Sequence, residues 1–95
     1  MVSWDEAKNK LNLLNHGVSF GAAQLVFDDP LHISRQDRIE NGERRWQTLG
    51  FAGGFVLLLV AHTWSDTETE GEHIRIISAR RADNSERKFY EQEGS

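Results

Sequence analysis

The sequence predicts a single α+β domain made of an N-terminal helical hairpin, a four-stranded, mainly antiparallel sheet and a C-terminal helix. Three observations carry this expectation. Apolar residues in the first third recur at helical spacing, those from Leu31 to Ser78 alternate or run together as in strands, and every link between the strands is short. Ninety-five residues with one proline and 38% hydrophobic residues suffice for one core and not two, so one domain is expected over residues 1–95.

Ser3 and Asp5 each offer an N-cap before Ala7, Leu11 and Leu14, whose spacing puts them on one helical face; a hydrophobic partner surface is expected on the exposed face of the helical hairpin or at the sheet edge. Gly17 stops that helix. Ser19 caps a second one, with Ala23, Val26 and Phe27 facing inward and Val18 as a staple, until Asp28-Asp29-Pro30 ends it. Leu31 and Ile33 then alternate with His32 and Ser34, and Asn41-Gly42 makes a turn before a strand from about Arg44 to Phe51. After Ala52-Gly53-Gly54, the apolar run Phe55 to Ala61 reads as the central strand, covered on both faces. A polar loop from Ser65 to Gly71 precedes a fourth strand in which Arg75 faces away from Ile74 and Ile76. Asp83 with Glu86 three residues on resembles a capping box, opening a helix whose Phe89 and Tyr90 dock on the sheet. Antiparallel strands leave the helices segregated to one side of the sheet.

The absence of cysteine rules out a disulfide framework, a thiolate nucleophile and a thiolate metal site. No apolar run approaches the roughly 18 residues of a membrane span, and Met1 to Asp5 lacks the basic and apolar parts of a signal segment. A cytoplasmic location without a membrane partner is therefore expected. The net charge of −4 disfavours a protein that neutralises phosphates over its whole surface. Its distribution is uneven: Asp66, Glu68, Glu70 and Glu72 crowd one stretch, while Arg75, Arg80, Arg81, Arg87 and Lys88 follow against only Asp83 and Glu86. Such a patch points to a confined anion site.

The segments Trp4-Asp5-Glu6-Ala7-Lys8, His16-Gly17-Val18-Ser19-Phe20, Val26-Phe27-Asp28-Asp29-Pro30, Gly42-Glu43-Arg44-Arg45 and Ile74-Arg75-Ile76-Ile77-Ser78-Ala79-Arg80-Arg81-Ala82, followed by Glu86-Arg87 and Tyr90-Glu91, stand in this order. In this the chain resembles the BrnT toxins over nearly its whole length. The resemblance implies a RelE-like fold and a ribonuclease that is the toxic half of a type II toxin–antitoxin pair. It also implies a hetero-oligomer with a BrnA-type antitoxin carrying a ribbon-helix-helix domain, which alone would contact operator DNA. Departures from the family pattern are Asn15 in place of a basic residue, Gly21 and Ala22 in place of acids, and a longer, more acidic stretch from Ser65 to Glu72. Acids beside an RNA path repel substrate over about a Debye length of 8 Å.

Cleaving RNA without a metal or cofactor requires moving a proton off the ribose 2′-hydroxyl, stabilising phosphate charge and protonating the leaving oxygen. Arg80 and Arg81, where the last strand meets the last helix, suit the second task; alone they read equally as surface arginines paired with Asp83 or Glu86, and the resemblance favours the phosphate role. His16 is the best proton-transfer group, against the alternative of a helix-end histidine facing the last carbonyls. Arg44 and Arg75 are expected along the substrate path together with Tyr90, whose ring also suits the core. Arg45 reads rather as a strand-surface residue, Glu43 as a turn flank, and Trp46 and Trp64 as core residues rather than base-stacking ones. His32, His62 and His73 have no metal-binding spacing, so no metal site is expected. Two other readings compete: a partner-binding module without RNA activity, favoured by the charge and by Asn15, and a DNA binder, disfavoured because no helix carries a basic stripe.

Overall fold

The structure, a computed structural model, describes residues 1–93. In chain order its elements are β1 (Val2–Trp4), α1 (Glu6–His16), α2 (Phe20–Ala23) with a 3-10 turn (Gln24–Asp28), β2 (Ile33–Glu40), β3 (Glu43–Ala52), β4 (Val56–Thr67), β5 (Gly71–Arg81) and α3 (Asn84–Glu93). The sheet has the order β1-β5-β4-β3-β2, so the apolar β4 is central as expected. β2 to β5 form an antiparallel meander, and β1 adds in parallel to β5 through Val2↔Ile74, Ser3↔Arg75 and Trp4↔Ile76. The sheet therefore has five strands and not four. Three residues are too few to display a strand period, and Ser3, expected as a cap, lies in this strand. Asp5 is the cap: its Oδ1 accepts from the backbone N–H of Ala7 at 2.8 Å and of Lys8 at 3.3 Å.

Asn41 and Gly42 both have positive φ, as a type I′ hairpin turn requires. The expected loop from Ser65 to Gly71 is instead mostly a hairpin, with the ladder running out to Thr67↔Gly71. Polar residues there reflect strands exposed on both faces, not the loss of strand pairing.

Alternation along β4 sorts the core. Leu58, Val60 and His62 face one side, where Val18, Phe20, Ala23 and Val26 pack together with Ile76 and Ala79. Gly50 allows this close approach, because a Cβ there would lie 3.1 Å from the Val26 carbonyl oxygen and 3.2 Å from the His32 Cβ. Leu57 and Leu59 face the other side, where α3 lays Tyr90 on Leu49, Leu57 and Phe51. Helices thus cover both faces rather than one; a capping box marks where a helix starts and not which face it takes. The second helix of the expected hairpin is a single turn before the 3-10 geometry begins.

The apolar face of α1 does not turn inward. Leu11 and Leu14 are 58% and 81% exposed, and the buried residue is Asn12. α1 lies along the edge of β5 beyond the short β1, where Asn12 Nδ2 donates to the carbonyls of Ala79 and Val18, each at 2.8 Å. The Ala79 N–H donates back to its Oδ1 at 3.1 Å. One side-chain amide continues the strand pairing that β1 begins. A bulge at Ile77, between Ala61↔Ser78 and His62↔Ile76, turns Ala79 rather than Ser78 to the buried face. No helix among the described residues is long and apolar enough to cross a membrane.

Candidate active site

α3 covers only one end of its sheet face and leaves the rest open. Strand registers lay out that open face as a grid with the rows Arg45–Thr63–Arg75, Gln47–Ala61–Ser78 and Leu49–Leu59–Arg80 across β3, β4 and β5, while Arg35 on β2 joins the second row beside Gln47. Four arginines therefore look out from one face, from β2, β3 and β5, with adjacent strands about 4.8 Å apart and β4 between β3 and β5. At the sheet edge, where α1 ends, a cavity of about 300 Å³ is lined by His16, Gln47, Ser78 and Arg80. Gly17, at φ 70°, terminates the helix there and leaves His16 exposed at the rim.

Two of the arginines are already held by carboxylates. Arg80 Nη1 and Nη2 donate to Glu86 Oε1 and Oε2 at 2.8 and 2.9 Å, and Nη1 also donates to the Arg81 carbonyl at 3.1 Å. This is the Glu86 pairing that the sequence allowed as the alternative for Arg80. The hydrogen bond to Glu86 raises the Arg80 pKa further and lowers that of Glu86, so both charges are permanent near neutrality. Of the roughly five N–H donors of a guanidinium, Nε–H and one on Nη2 have no partner among the described residues. Arg75 Nη2 donates to both Glu43 oxygens, at 2.8 and 3.0 Å. Glu43 is thus a turn flank whose carboxylate lies on the open face. Arg45 has no ionic partner among the described residues, and its Nε is buried without an acceptor.

The structure brings His16, Arg80 and, farther along β5, Arg75 onto this face, and separates the other expected residues from them. Arg81 pairs with Leu58, one position on from Arg80, and so turns to the opposite face, into a cleft with Leu13, Gly17 and Ser19. Arg44 alternates away from Arg45 and falls on the side of Trp46. Tyr90 is 6% exposed and donates to Asp29 Oδ2 at 2.6 Å; burial and this bond push its pKa up to about 12. Its hydroxyl is committed to Asp29, a carboxylate that also accepts from the Phe51 and Leu31 N–H groups. Burial pushes the Asp29 pKa up, but the bonds outweigh it and the net shift is downward. Tyr90 therefore fastens α3 to the segment after the 3-10 turn. Sequence reading left Arg45 as a strand-surface residue and passed over Arg35 and Gln47, although the two-residue period from Leu49 already places Gln47 and Arg45 on its side.

Trp46 and Trp64 pack edge to face with centroids 5.1 Å apart, on the face opposite the arginines, and Trp64 is 40% exposed. His62 is buried and hydrogen-bonded, His73 Nε2 lies 2.7 Å from Ser3 Oγ, and His32 Nδ1 donates to the Asp29 carbonyl. Among the described residues no three His, Cys, Asp or Glu side chains are grouped to hold a metal ion.

A half-open, mainly antiparallel sheet with an arginine-lined face and a histidine at its rim defines a small domain of α+β class whose open face has the charge to meet an anion. Residues 4–86 match the family model of the BrnT ribonuclease toxins of type II toxin–antitoxin systems, and the chain belongs to that family. In fold it is similar to the ribonuclease toxin BrnT of Brucella abortus, with a TM-score of 0.60 and 24% identity over 88% of this chain and 100% of that one. No curated protein matches the sequence.

Proposed function

We propose that the chain cleaves RNA on the open sheet face without a metal, with Arg80 binding the scissile phosphate and His16 transferring the proton. The observation that carries this reading is the single cavity that joins His16 to Arg80. When the ribose 2′-oxygen attacks phosphorus, its proton passes to a base, the bond to the 5′-oxygen breaks, and that oxygen takes a proton as it leaves. A 2′,3′-cyclic phosphate and a 5′-hydroxyl result. Glu86 fixes the Arg80 guanidinium in advance, and its two free N–H donors meet the charge that develops on the phosphate. Arg75 and Arg45 guide the flanking phosphates; Arg81, Arg44 and Tyr90 lie outside this path.

The antitoxin partner is a BrnA-type ribbon-helix-helix protein, and operator DNA is reached only through it. The apolar stripe of α1, with Leu11 58%, Leu13 51% and Leu14 81% exposed, supports a partner-covered surface.

Inducing the protein alone in a bacterial host, and following growth and total RNA, tests the reading. Growth arrest with RNA fragmentation is expected. In the purified protein Arg80→Ala should lower the cleavage rate by about 10²- to 10³-fold, as loss of one charge-stabilising donor group does, and Arg81→Ala by far less. Full activity in a folded Arg80→Ala protein sinks the assignment. Intact RNA and normal growth with folded wild-type protein would favour the partner-binding module, for which the engagement of Arg80 by Glu86 is the supporting observation.

A further inference from the structure

A second cavity, of about 250 Å³, lies between α3 and the sheet on the same open face and shares Gln47 and Leu59 with the His16–Arg80 cavity. Leu49 and Leu59 line it, Phe89 flanks it from α3, and Arg35, Gln47 and Glu86 stand around it. Phe89 is 44% exposed although its neighbour Tyr90 is buried, so an aromatic ring is held open beside an apolar surface. The Gln47 carbonyl accepts from Arg35 Nε and Nη2 at 3.4 and 3.2 Å, which fixes the amide and leaves its NH₂ without a partner among the described residues. Glu86 lines this cavity and ties it to the other one, because its carboxylate is the group that holds Arg80.

We propose that this pocket receives one unpaired nucleobase of the RNA, next to the phosphate on Arg80. An apolar bed with an aromatic wall takes the flat face of a base, and directional polar groups at the edge read its hydrogen-bonding pattern. The connection to the arginine groove selects a base over an unrelated apolar ligand: a nucleotide whose phosphate sits at Arg80 has its base within one sugar of the neighbouring cavity. On an acidic protein, stacking also supplies affinity that charge does not. The proposal rests on the open face being the RNA path.

Binding of 2′-O-methyl RNA hexamers, which cannot be cleaved, with an abasic unit placed at each position in turn, tests the pocket apart from catalysis. The wild type should lose roughly ten- to a hundred-fold in affinity when one particular base is removed, the range for a stacked base. Phe89→Ala should bind the intact and abasic hexamers alike, and Phe89→Tyr, which keeps the ring, should retain the discrimination even if the alanine variant does not fold. Equal binding of every abasic hexamer by the wild type overturns the pocket, as does unchanged discrimination in folded Phe89→Ala. Unchanged discrimination accompanied by loss of antitoxin binding would assign the cavity to the protein partner instead. Cleavage of unmodified RNA by the wild type, measured alongside, shows separately whether the ribonuclease reading holds.

Discussion

A histidine is stable in a protein core only when both ring nitrogens are satisfied and the ring is neutral. His62 meets that condition at 1% exposure. Its Nδ1 donates to the Thr63 carbonyl at 2.9 Å, so its Nε2 must accept from Thr48 Oγ1 at 2.7 Å, and Thr48 then accepts from Ser34 Oγ at 2.7 Å. The edge of Phe27, with centroids 5.0 Å apart, closes the site, and His32 adds like-charge repulsion. Burial holds the pKa of His62 below its ordinary value. The sign of the pH effect follows from linkage: below about pH 6.5 the unfolded chain takes up a proton that the folded one refuses, so stability is present above that pH and falls beneath it. The depressed carboxylates Asp29 and Glu86 act in a lower window, beneath about pH 4.5. Melting temperature should therefore drop between about pH 7.5 and about pH 5.5 in the wild type and drop less in His62→Gln. Parallel curves for the two proteins would show that His62 does not set this dependence.

At the scale of elements, the join between α1 and the sheet turns on Asn12. Its amide satisfies the N–H and C=O of Ala79 and the carbonyl of Val18 in a buried setting. Asn12→Ala leaves these groups unpaired, at about 1–3 kcal/mol each less relaxation, so a loss of about 3 kcal/mol is expected in urea unfolding. The exposed Asn15→Ala should change stability by no more than about 0.5 kcal/mol. Similar values for the two variants would mean that the edge is held by something else. Asn12 also shows why α1 was legible as a helix but not in its orientation. The Asp5 cap and the Gly17 stop are local and were readable, whereas the inward face is chosen by a hydrogen bond to a residue far along the chain, and the leucine spacing pointed the other way. The meander behaved like the cap, because its turns and its apolar strand are local signals. β1 was not legible, since three residues become a strand only beside β5. The candidate site was legible in residue type and less so in grouping. His16 and Arg80 lie far apart in sequence and meet at one sheet edge, while Arg81, adjacent in sequence, is turned away by the strand period.

For the whole molecule, the question is how an acidic chain of net charge −4 holds a polyanion. The acidic tip formed by Asp66, Glu68, Glu70 and Glu72 closes the β4–β5 hairpin, and nine residue steps along β5 lead from Gly71 to Arg80. At about 3.3 Å per residue that is roughly 30 Å, well beyond the Debye length of about 8 Å, so the tip leaves the Arg80 end of the groove untouched. On the open face, Arg35, Arg45, Arg75 and Arg80 stand against Glu43 and Glu86, which already neutralise Arg75 and Arg80 in part. RNA binding should then release few counterions. With about two to four phosphates neutralised and about 0.7 ion per single-strand phosphate, the plot of log affinity against log salt should slope between about −1.4 and about −2.8. Fluorescence anisotropy of a 2′-O-methyl RNA, titrated at salt from about 50 to about 200 mM, measures that slope directly. Arg45→Ala should make it shallower by about 0.7, because Arg45, like Arg35, has no acidic partner among the described residues that already neutralises it. A slope steeper than about −4, or one that Arg45→Ala leaves unchanged, would place the RNA on some other part of the surface.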